Sequence, residues 1–340
     1  MTSSPSTHRS ELFGALLVLL TCALAACSSS EAASTGTSAE AAQQPMPEQD
    51  SMDDGFKISL AQWSLHRRYR EEGGDPYKFA DHAKELGFSG IEYVSQLYNN
   101  DIRSGEEHAG SVMSIMERLG NRADEVGVTE VLIMIDGEGS LGDKDEQART
   151  QAVEQHRHWI DAASMSDIPT IRVNAAGEGS RSEVAAQAVK SLSELGKYGA
   201  QKNVNVVVEN HGGYSSDPQW LHDVMATVDM DNVGILPDFG NFCRAYKGGN
   251  WANGCADAVP SDSIYAAVGM WMPFAHAVSA KSHDFNDDGQ ESEIDYDRMM
   301  DTVLAHGYHG FVGVEYEGSE LSEVEGIEAT RKLLLAAGGE

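Results

Sequence analysis

The sequence predicts a (β/α)₈ TIM barrel, an α/β fold, on three observations. From residue 56 onward, short apolar segments with strand character alternate with helical segments, eight times each. Four successive strands late in the chain each end in a side chain that can bind a metal. The alternating region has the length of one barrel domain and contains no second linker. A doubly wound sheet is the alternative, but only a closed barrel brings four consecutive strand ends around one axis.

The strand candidates are rich in β-branched and large apolar residues, as expected for buried parallel strands. In chain order they cover residues 56–64, 90–94, 130–135, 170–174, 204–209, 233–238, 277–283 and 311–315. The helix candidates between and after them cover residues 76–86, 111–126, 147–165, 183–201, 218–228, 263–274, 296–306 and 322–337. Asp75-Pro76 and Asp217-Pro218 each place a capping residue before a first-turn proline.

The first 55 residues are predicted to carry targeting signals and a tether. Residues 12–26 form an apolar run shorter than the roughly 20 residues that span a bilayer. The run ends in Leu24-Ala25-Ala26-Cys27, which resembles the lipobox of bacterial lipoproteins. The resemblance implies a signal peptide over residues 1–26 and lipidation of Cys27, with an ordinary cleaved signal peptide as the alternative. Ser28 favours the outer membrane by the same analogy.

Residues 27–55 are rich in Ser, Ala, Glu, Gln, Thr and Pro and predict a flexible tether. Residues 56–340 remain as a single predicted domain. The formal net charge of −30, with 54 acidic and 24 basic residues, argues against nucleic acid as a partner, because phosphate binding needs basic patches. We therefore expect no nucleic acid as a partner, and contact with a membrane only through the lipid anchor.

Two cysteines, Cys243 and Cys255, lie in one irregular segment between the sixth and seventh strand candidates. In an extracytoplasmic protein such a pair predicts a disulfide that closes the segment. Two unpaired thiols are the alternative. A zinc pair is less favoured, because the spacing is far from the short Cys-x-x-Cys type.

The strongest functional pattern is the recurrence of polar side chains where buried strands end. Residues two apart share a face of a strand, so Arg172 shares one with Asn174, and Lys281 shares one with His283. Three carboxylates and one imidazole suit a divalent ion such as Mn²⁺, Mg²⁺, Co²⁺ or Zn²⁺. The carboxyl-end rim is predicted to collect Glu92, Asn174, Glu209, His211, Asp238, Lys281, His283 and Glu315.

The strand ends resemble the sugar phosphate isomerase/epimerase superfamily, the xylose-isomerase-like barrels that include ketose 3-epimerases. The motifs are residues 58–66, 90–93, 208–213, 236–241, 280–285 and 313–316. The resemblance implies that Glu209, Asp238, His283 and Glu315 bind the metal, and that Glu209 and Glu315 are the acid/base pair. One position departs from the pattern: Asn241 stands where ketose epimerases usually carry a histidine that contacts the sugar, so their sugar specificity is not carried over.

The resemblance implies a small carbohydrate as the partner. It also implies proton abstraction next to the carbonyl of that substrate, with a metal-stabilised enediolate and return of the proton by a carboxylate. Lys281 is predicted to stabilise the oxyanion, Arg172, Asn174 and Asn241 to bind substrate, and His66 to line the sugar pocket beside Trp63. Alternatively, Glu92 and Arg172 form an ion pair below the rim, and His211 holds its loop in place. A lyase or dehydratase acting on a keto-sugar or 3-keto-glycoside, and a non-catalytic sugar-binding lipoprotein, are the alternative functions.

Overall fold

The computed structural model describes residues 55–340. The predicted signal peptide, the lipidation site Cys27 and the tether up to residue 54 lie outside the described residues. No helix in the described part of the chain is both long enough and apolar enough to cross a bilayer.

Eight parallel strands form the central sheet, and their order follows the chain around the barrel. They pair in the order β6-β5-β4-β3-β2-β1-β10-β9. The eight strands are β1 (Lys57–Ala61), β2 (Gly90–Val94), β3 (Thr129–Met134), β4 (Thr170–Val173), β5 (Asn205–Glu209), β6 (Val233–Leu236), β9 (Val278–Ser282) and β10 (Phe311–Tyr316).

The sheet closes between β6 and β9 through isolated parallel bridges. Ser279 N donates to Pro237 O at 2.9 Å, and Phe239 N donates to Ser279 O at 3.1 Å. The doubly wound alternative is therefore excluded and the predicted barrel is confirmed. Closure also sets β6 and β9 side by side, which brings Asp238 and Ser279 into one hydrogen-bonded pair.

Nine α-helices in the described chain follow or connect the strands of the sheet. Several begin at side-chain caps, among them Asp145, Ser180, Asp217 and Ser322, which satisfy free backbone N–H groups of the first turn. The helices are α1 (His66–Arg70), α2 (Phe79–Glu85), α3 (His108–Val126), α4 (Glu146–Met165), α5 (Arg181–Ala200), α6 (Pro218–Val228), α7 (Ile264–Trp271), α8 (Tyr296–Leu304) and α9 (Glu323–Ala336).

Alternation along the strands divides the side chains between two cores. Outward-facing residues such as Val206, Val208 and Ile235 join the large apolar layer between sheet and helices. Inward-facing residues such as Val207 and Leu236 form a smaller cluster inside the barrel. The polar residues that end the strands continue the inward face, so they project into the carboxyl-end mouth above this inner cluster.

A two-stranded antiparallel hairpin interrupts the barrel after β6. Its strands are β7 (Cys243–Tyr246) and β8 (Cys255–Ala258). A disulfide joins Cys243 to Cys255 across the hairpin, with their Cα atoms 5.7 Å apart. The sequence pattern predicted no strands in this segment, because β8 is exposed along its whole length and carries no buried apolar face.

Candidate active site

Three acidic side chains, each at the carboxyl end of a different barrel strand, converge in the barrel mouth. Glu209 ends β5, Asp238 lies two residues after β6, and Glu315 lies near the end of β10. One carboxylate oxygen of each lies within 4.8 Å of one oxygen of each of the others. None of the three residues is more than 4% exposed. Carboxylates this close and this buried require either compensating positive charge or a bound proton.

Glu209 is held by two side chains. Asn241 Nδ2 donates to Glu209 Oε1 at 2.8 Å, and Arg172 Nε lies 2.8 Å from Glu209 Oε2. The second contact is an ion pair whose angle does not align the N–H group with the oxygen, so Oε2 has no hydrogen-bond donor in the described chain. A buried carboxylate oxygen without a donor loses the hydration that it has in water, and a bound cation would restore a partner.

Asp238 is fixed by its own turn. Its Oδ1 atom accepts hydrogen bonds from the backbone N–H groups of Gly240 at 2.9 Å and Asn241 at 2.8 Å. Asn210 holds the backbone of the same turn, accepting from Asp238 N at 2.7 Å and donating to Asp238 O at 2.9 Å. The Oδ2 atom of Asp238 is therefore the one that is turned towards the other carboxylates.

Ser279 lies between two of the carboxylates. Its Oγ atom is 2.8 Å from Asp238 Oδ2 and 2.9 Å from Glu315 Oε2. A hydroxyl group has one hydrogen and can donate to only one of these oxygens, so the other needs a proton or a cation. Glu209 Oε2 has an ion pair but no hydrogen-bond donor, so the cluster lacks a donor at two places in the described chain. The donor set of three hard carboxylate oxygens fits a divalent cation.

Lys281 places a fixed positive charge beside Asp238 and Glu315. Its side chain is buried, and Nζ lies 3.6 Å from Asp238 Oδ2 and 3.5 Å from both Glu315 Oε2 and Glu317 Oε2. These separations exceed the roughly 2.7–2.9 Å of a close charge-assisted hydrogen bond. Burial raises the pKa of Asp238 and of Glu315, and the Lys281 ammonium opposes that rise in both.

Arg172 pairs with Asp136 as well as with Glu209. Arg172 Nη1 lies 2.8 Å from Asp136 Oδ1, which also accepts from Asn174 Nδ2 at 2.7 Å. Burial alone would raise the pKa of Asp136, but the guanidinium overcomes this and lowers the pKa to about 2. The exposed His211 also acts on Asp136, which places its ring at the mouth. Arg172, 3% exposed, thus lies below the surface of the mouth and joins two carboxylates.

Glu92 lies deeper in the barrel. It accepts a hydrogen bond from Ser59 Oγ at 2.5 Å and is 1% exposed, while its Oε2 atom has no partner in the described chain. Burial raises the pKa of Glu92 to about 7. A Cβ atom on Gly313 would meet this carboxylate at 2.5 Å, so the glycine makes room for it. The structure separates Glu92 from Arg172, whose carboxylate partners are Asp136 and Glu209.

His283 and Glu317 lie at the outer edge of the cluster. His283 is not among the three residues whose ligand atoms converge, and its ring packs beside Gly240. Burial alone would raise the pKa of Glu317, but Lys281, His283 and His211 together lower it. Glu317 is therefore a second candidate, beside His283, for a fourth position around a cation.

His66 is placed apart from the carboxylates. Its ring stacks on Trp63 at 4.9 Å between centroids, and Nδ1 lies 2.8 Å from Trp63 O and 3.8 Å from a carboxylate oxygen of Glu323. These contacts tie the start of α1 to the start of α9.

Several residues of the mouth were not predicted. Glu317 and Ser279 share the strand faces of Glu315 and Lys281, two residues away, so the alternation rule could have found both. Asp136 follows the third strand and could have been found by the strand-end rule. Tyr246 reaches the mouth from the hairpin, and no sequence signal indicated this.

Fold and site together define a single (β/α)₈ barrel with a buried carboxylate cluster at the carboxyl ends of its strands. Residues 80–336 match the profile of the xylose isomerase-like TIM barrel family. The chain belongs to this family. No curated protein sequence matches it.

Solved structures with the same fold include several named as sugar epimerases. The 3-keto-D-glucoside 4-epimerase from E. coli, in its apo form, is 16% identical, with a TM-score of 0.60 over 82% of this chain and 98% of that chain. A D-tagatose 3-epimerase-like protein is 18% identical, with a TM-score of 0.58 over 83% and 98%. A xylose isomerase-like TIM barrel protein from Mycobacterium smegmatis, in complex with magnesium, is 17% identical, with a TM-score of 0.58 over 83% and 97%. At these identities the likeness shows the fold.

Proposed function

We propose that the protein is a metal-dependent sugar isomerase or epimerase. The observation that carries the proposal is the convergence of Glu209, Asp238 and Glu315, whose oxygens outnumber the hydrogen-bond donors that face them. The names of structural neighbours support the same reaction class, since they include a 3-keto-D-glucoside 4-epimerase and a D-tagatose 3-epimerase-like protein.

The three converging carboxylates would hold the cation, with His283 or Glu317 at the edge of the same cluster. When bound, a divalent cation supplies electrostatic stabilisation of the negative charge that develops on oxygen when a proton leaves the carbon next to a carbonyl. The magnesium in one structural neighbour supports a hard, oxygen-preferring ion.

Glu209 and Glu315 are the proposed proton carriers. They project from β5 and β10, which lie on different sides of the barrel mouth, and so can approach a bound sugar from two directions. Arg172 and Asn241 fix the orientation of the Glu209 carboxylate. One carboxylate takes the proton and the other returns it, either to the opposite face of the same carbon or to its neighbour.

Lys281 is proposed to balance the charge of Asp238 and Glu315 and to donate towards the oxygen on which charge develops. Its burial keeps water away from this position, which strengthens the electrostatic effect. We further propose that the enzyme works outside the cytoplasm, attached through lipid on Cys27, because the lipobox-like segment and tether precede the barrel.

The test is a solvent-exchange screen with the full chain. Purified protein is incubated in D₂O with Mn²⁺, Mg²⁺, Co²⁺ or Zn²⁺ and a panel of ketoses and keto-glycosides, and NMR follows deuterium at the carbon next to the carbonyl. We expect exchange with product formation, lost on chelation and restored by one of the metals. Release of a β-substituent instead would make the enzyme a lyase. Tight sugar binding without exchange under any condition would replace the proposal by a binding function.

A further inference from the structure

The disulfide-closed hairpin β7–β8 extends over the barrel mouth. The Tyr246 ring lies directly on Gly212, where a Cβ atom would collide with its hydroxyl group, so glycine is needed for this approach. Gly212 also has a φ of +89°, in the region that favours glycine. Burial raises the pKa of Tyr246, and the charges of Lys281 and Glu317 both act on its hydroxyl. The hairpin therefore brings a phenol to the edge of the carboxylate cluster.

A cavity of about 520 Å³ lies between this hairpin and two loops of the mouth. Its walls are residues 175–179 after β4, residues 212–214 after β5, and Arg244 and Ala245 of the hairpin. The two loops begin directly after Asn174 and His211. Gly212, which lines the cavity, also contacts Tyr246, so the cavity adjoins the candidate active site. Its volume falls within the roughly 300–1,000 Å³ of small-molecule sites.

The walls are chemically simple. Most of the lining residues are glycine or alanine, which present backbone and methyl groups, and Tyr214 adds an aromatic ring. Of the two charged lining residues, Arg244 already pairs with Asp257 at 2.6 Å, and Glu178 is an exposed acid. A flat or apolar group fits such walls.

The charges around the cavity disfavour an anionic ligand group. Arg172 and Lys281, the two fixed cations of the mouth, are both held by carboxylates. The protein as a whole carries a formal charge of −30, which repels phosphate esters. These charges favour an uncharged substrate over an anionic one.

We propose that this cavity, which we call the hairpin subsite, binds the apolar aglycone of a neutral keto-glycoside. The glycosyl ring lies over Glu209, Asp238 and Glu315, and Tyr246 lines the junction between ring and aglycone. This inference rests on the proposed function, because it assigns a substrate class to the same site. It makes a free ketose a poor substrate, since a free ketose leaves the hairpin subsite empty.

The first test fills the subsite by Ala245→Trp, with Ala256→Trp on the other hairpin strand as the control, since residue 256 does not line the cavity. Solvent exchange is measured with a phenyl keto-glycoside and with the corresponding free keto-sugar. We expect Ala245→Trp to raise KM for the phenyl glycoside at least 10-fold and to change kcat/KM for the free sugar less than twofold. An equal effect on both substrates, or none on the glycoside, would overturn the proposal.

The second test measures binding and needs no turnover. Calorimetry compares phenyl β-D-glucoside with methyl β-D-glucoside on wild type, on Ala245→Trp, and on Ala176→Trp from the opposite wall. We expect the phenyl compound to bind at least 10-fold more tightly than the methyl compound, and both variants to abolish the difference. Equal affinities of the wild type for the phenyl and the methyl glucoside would contradict the proposed subsite. Failure of the proposed reaction would show separately, as an absence of exchange with every substrate.

Discussion

Lys281 is a buried ammonium group among carboxylates that are also the proposed metal ligands. Its Nζ atom lies 3.5–3.6 Å from carboxylate oxygens of Asp238, Glu315 and Glu317. A cation bound by Asp238 and Glu315 would therefore lie close to this ammonium group. The ammonium group and the metal ion repel each other. The affinity of the site for a cation therefore depends on how far the attraction of the carboxylates exceeds this repulsion.

We predict that Lys281→Met tightens Mn²⁺ binding by about 10-fold or more, because it removes a like charge a few ångströms from the ion. Isothermal titration with Mn²⁺ measures the change. Lys190→Met, which alters an exposed lysine on α5, is the matched control and leaves the affinity unchanged. Weaker binding in Lys281→Met would mean that Lys281 supports the metal ligands rather than competing with the ion.

Glu130 is a half-buried acid outside the mouth. It lies on β3 with Oε1 lacking a hydrogen-bond partner in the described chain, and burial raises its pKa from 4.5 to about 7. The folded state holds the proton more tightly than the unfolded state, so ionisation of Glu130 costs stability as the pH rises from about 4.5 through 7.

We predict that Glu130→Gln raises the free energy of unfolding by about 1–2 kcal/mol at pH 8 and leaves it nearly unchanged near pH 4.5. The value at pH 8 is reduced to allow for the partial exposure of the side chain. Urea denaturation at the two pH values measures both. Glu117→Gln on the exposed face of α3 is the control. An equal gain in the free energy of unfolding at both pH values would show that ionisation of Glu130 is not the source of the gain.

Helix α5 shows how much of an element follows from local sequence. It begins at a capping box in which Ser180 accepts from the backbone N–H of Glu183, while the Glu183 carboxylate accepts from Ser180 N at 2.9 Å. The start of the helix predicted from the sequence, Glu183, is two residues after the observed start at Arg181.

We predict that Ser180→Ala lowers the free energy of unfolding by about 1 kcal/mol, the usual cost of losing an N-cap acceptor. Thermal unfolding should then shift down by about 2 °C. Ser182→Ala, two residues further on, removes only a weak contact of 3.4 Å to Ser180 and serves as the control. If the two variants unfold at the same temperature, the cap does not stabilise α5 as described.

The barrel strands could be predicted because buried parallel strands have a distinct composition and because barrel closure gathers their carboxyl ends. The convergence of Glu209, Asp238 and Glu315 follows from the same two rules. The ion pair between Arg172 and Glu209 could not be predicted, because it depends on the register between β4 and β5 and on side-chain rotamers. The hairpin was missed because its exposed strands carry no periodic apolar face.

At the scale of the whole chain, whose formal net charge is −30, the barrel is predicted to be attached to the membrane through an acidic tether and a lipidated cysteine. Electrostatic attraction to an anionic membrane surface is absent for such a charge, so the lipid would be the main attachment.

We predict that Cys27→Ser moves most of the protein from the membrane fraction to the soluble fraction of fractionated cells. Cys22→Ser, within the apolar run and before the cleavage position, is the control and leaves the distribution unchanged. Metabolic labelling with a palmitate analogue should mark wild type and Cys22→Ser but not Cys27→Ser. Membrane association that persists in Cys27→Ser would contradict the anchor.

The central claim is that Glu209 and Glu315 move a substrate proton at a metal-binding barrel mouth. The most direct measurement is solvent deuterium incorporation by the metal-loaded protein with Glu315→Gln or Glu209→Gln, beside the exposed-site control Glu320→Gln. Glutamine keeps an oxygen donor but cannot accept the proton, so we predict a loss of roughly 10²–10⁴-fold in exchange, with Mn²⁺ still bound. Exchange at the wild-type rate in both Gln variants would contradict the account.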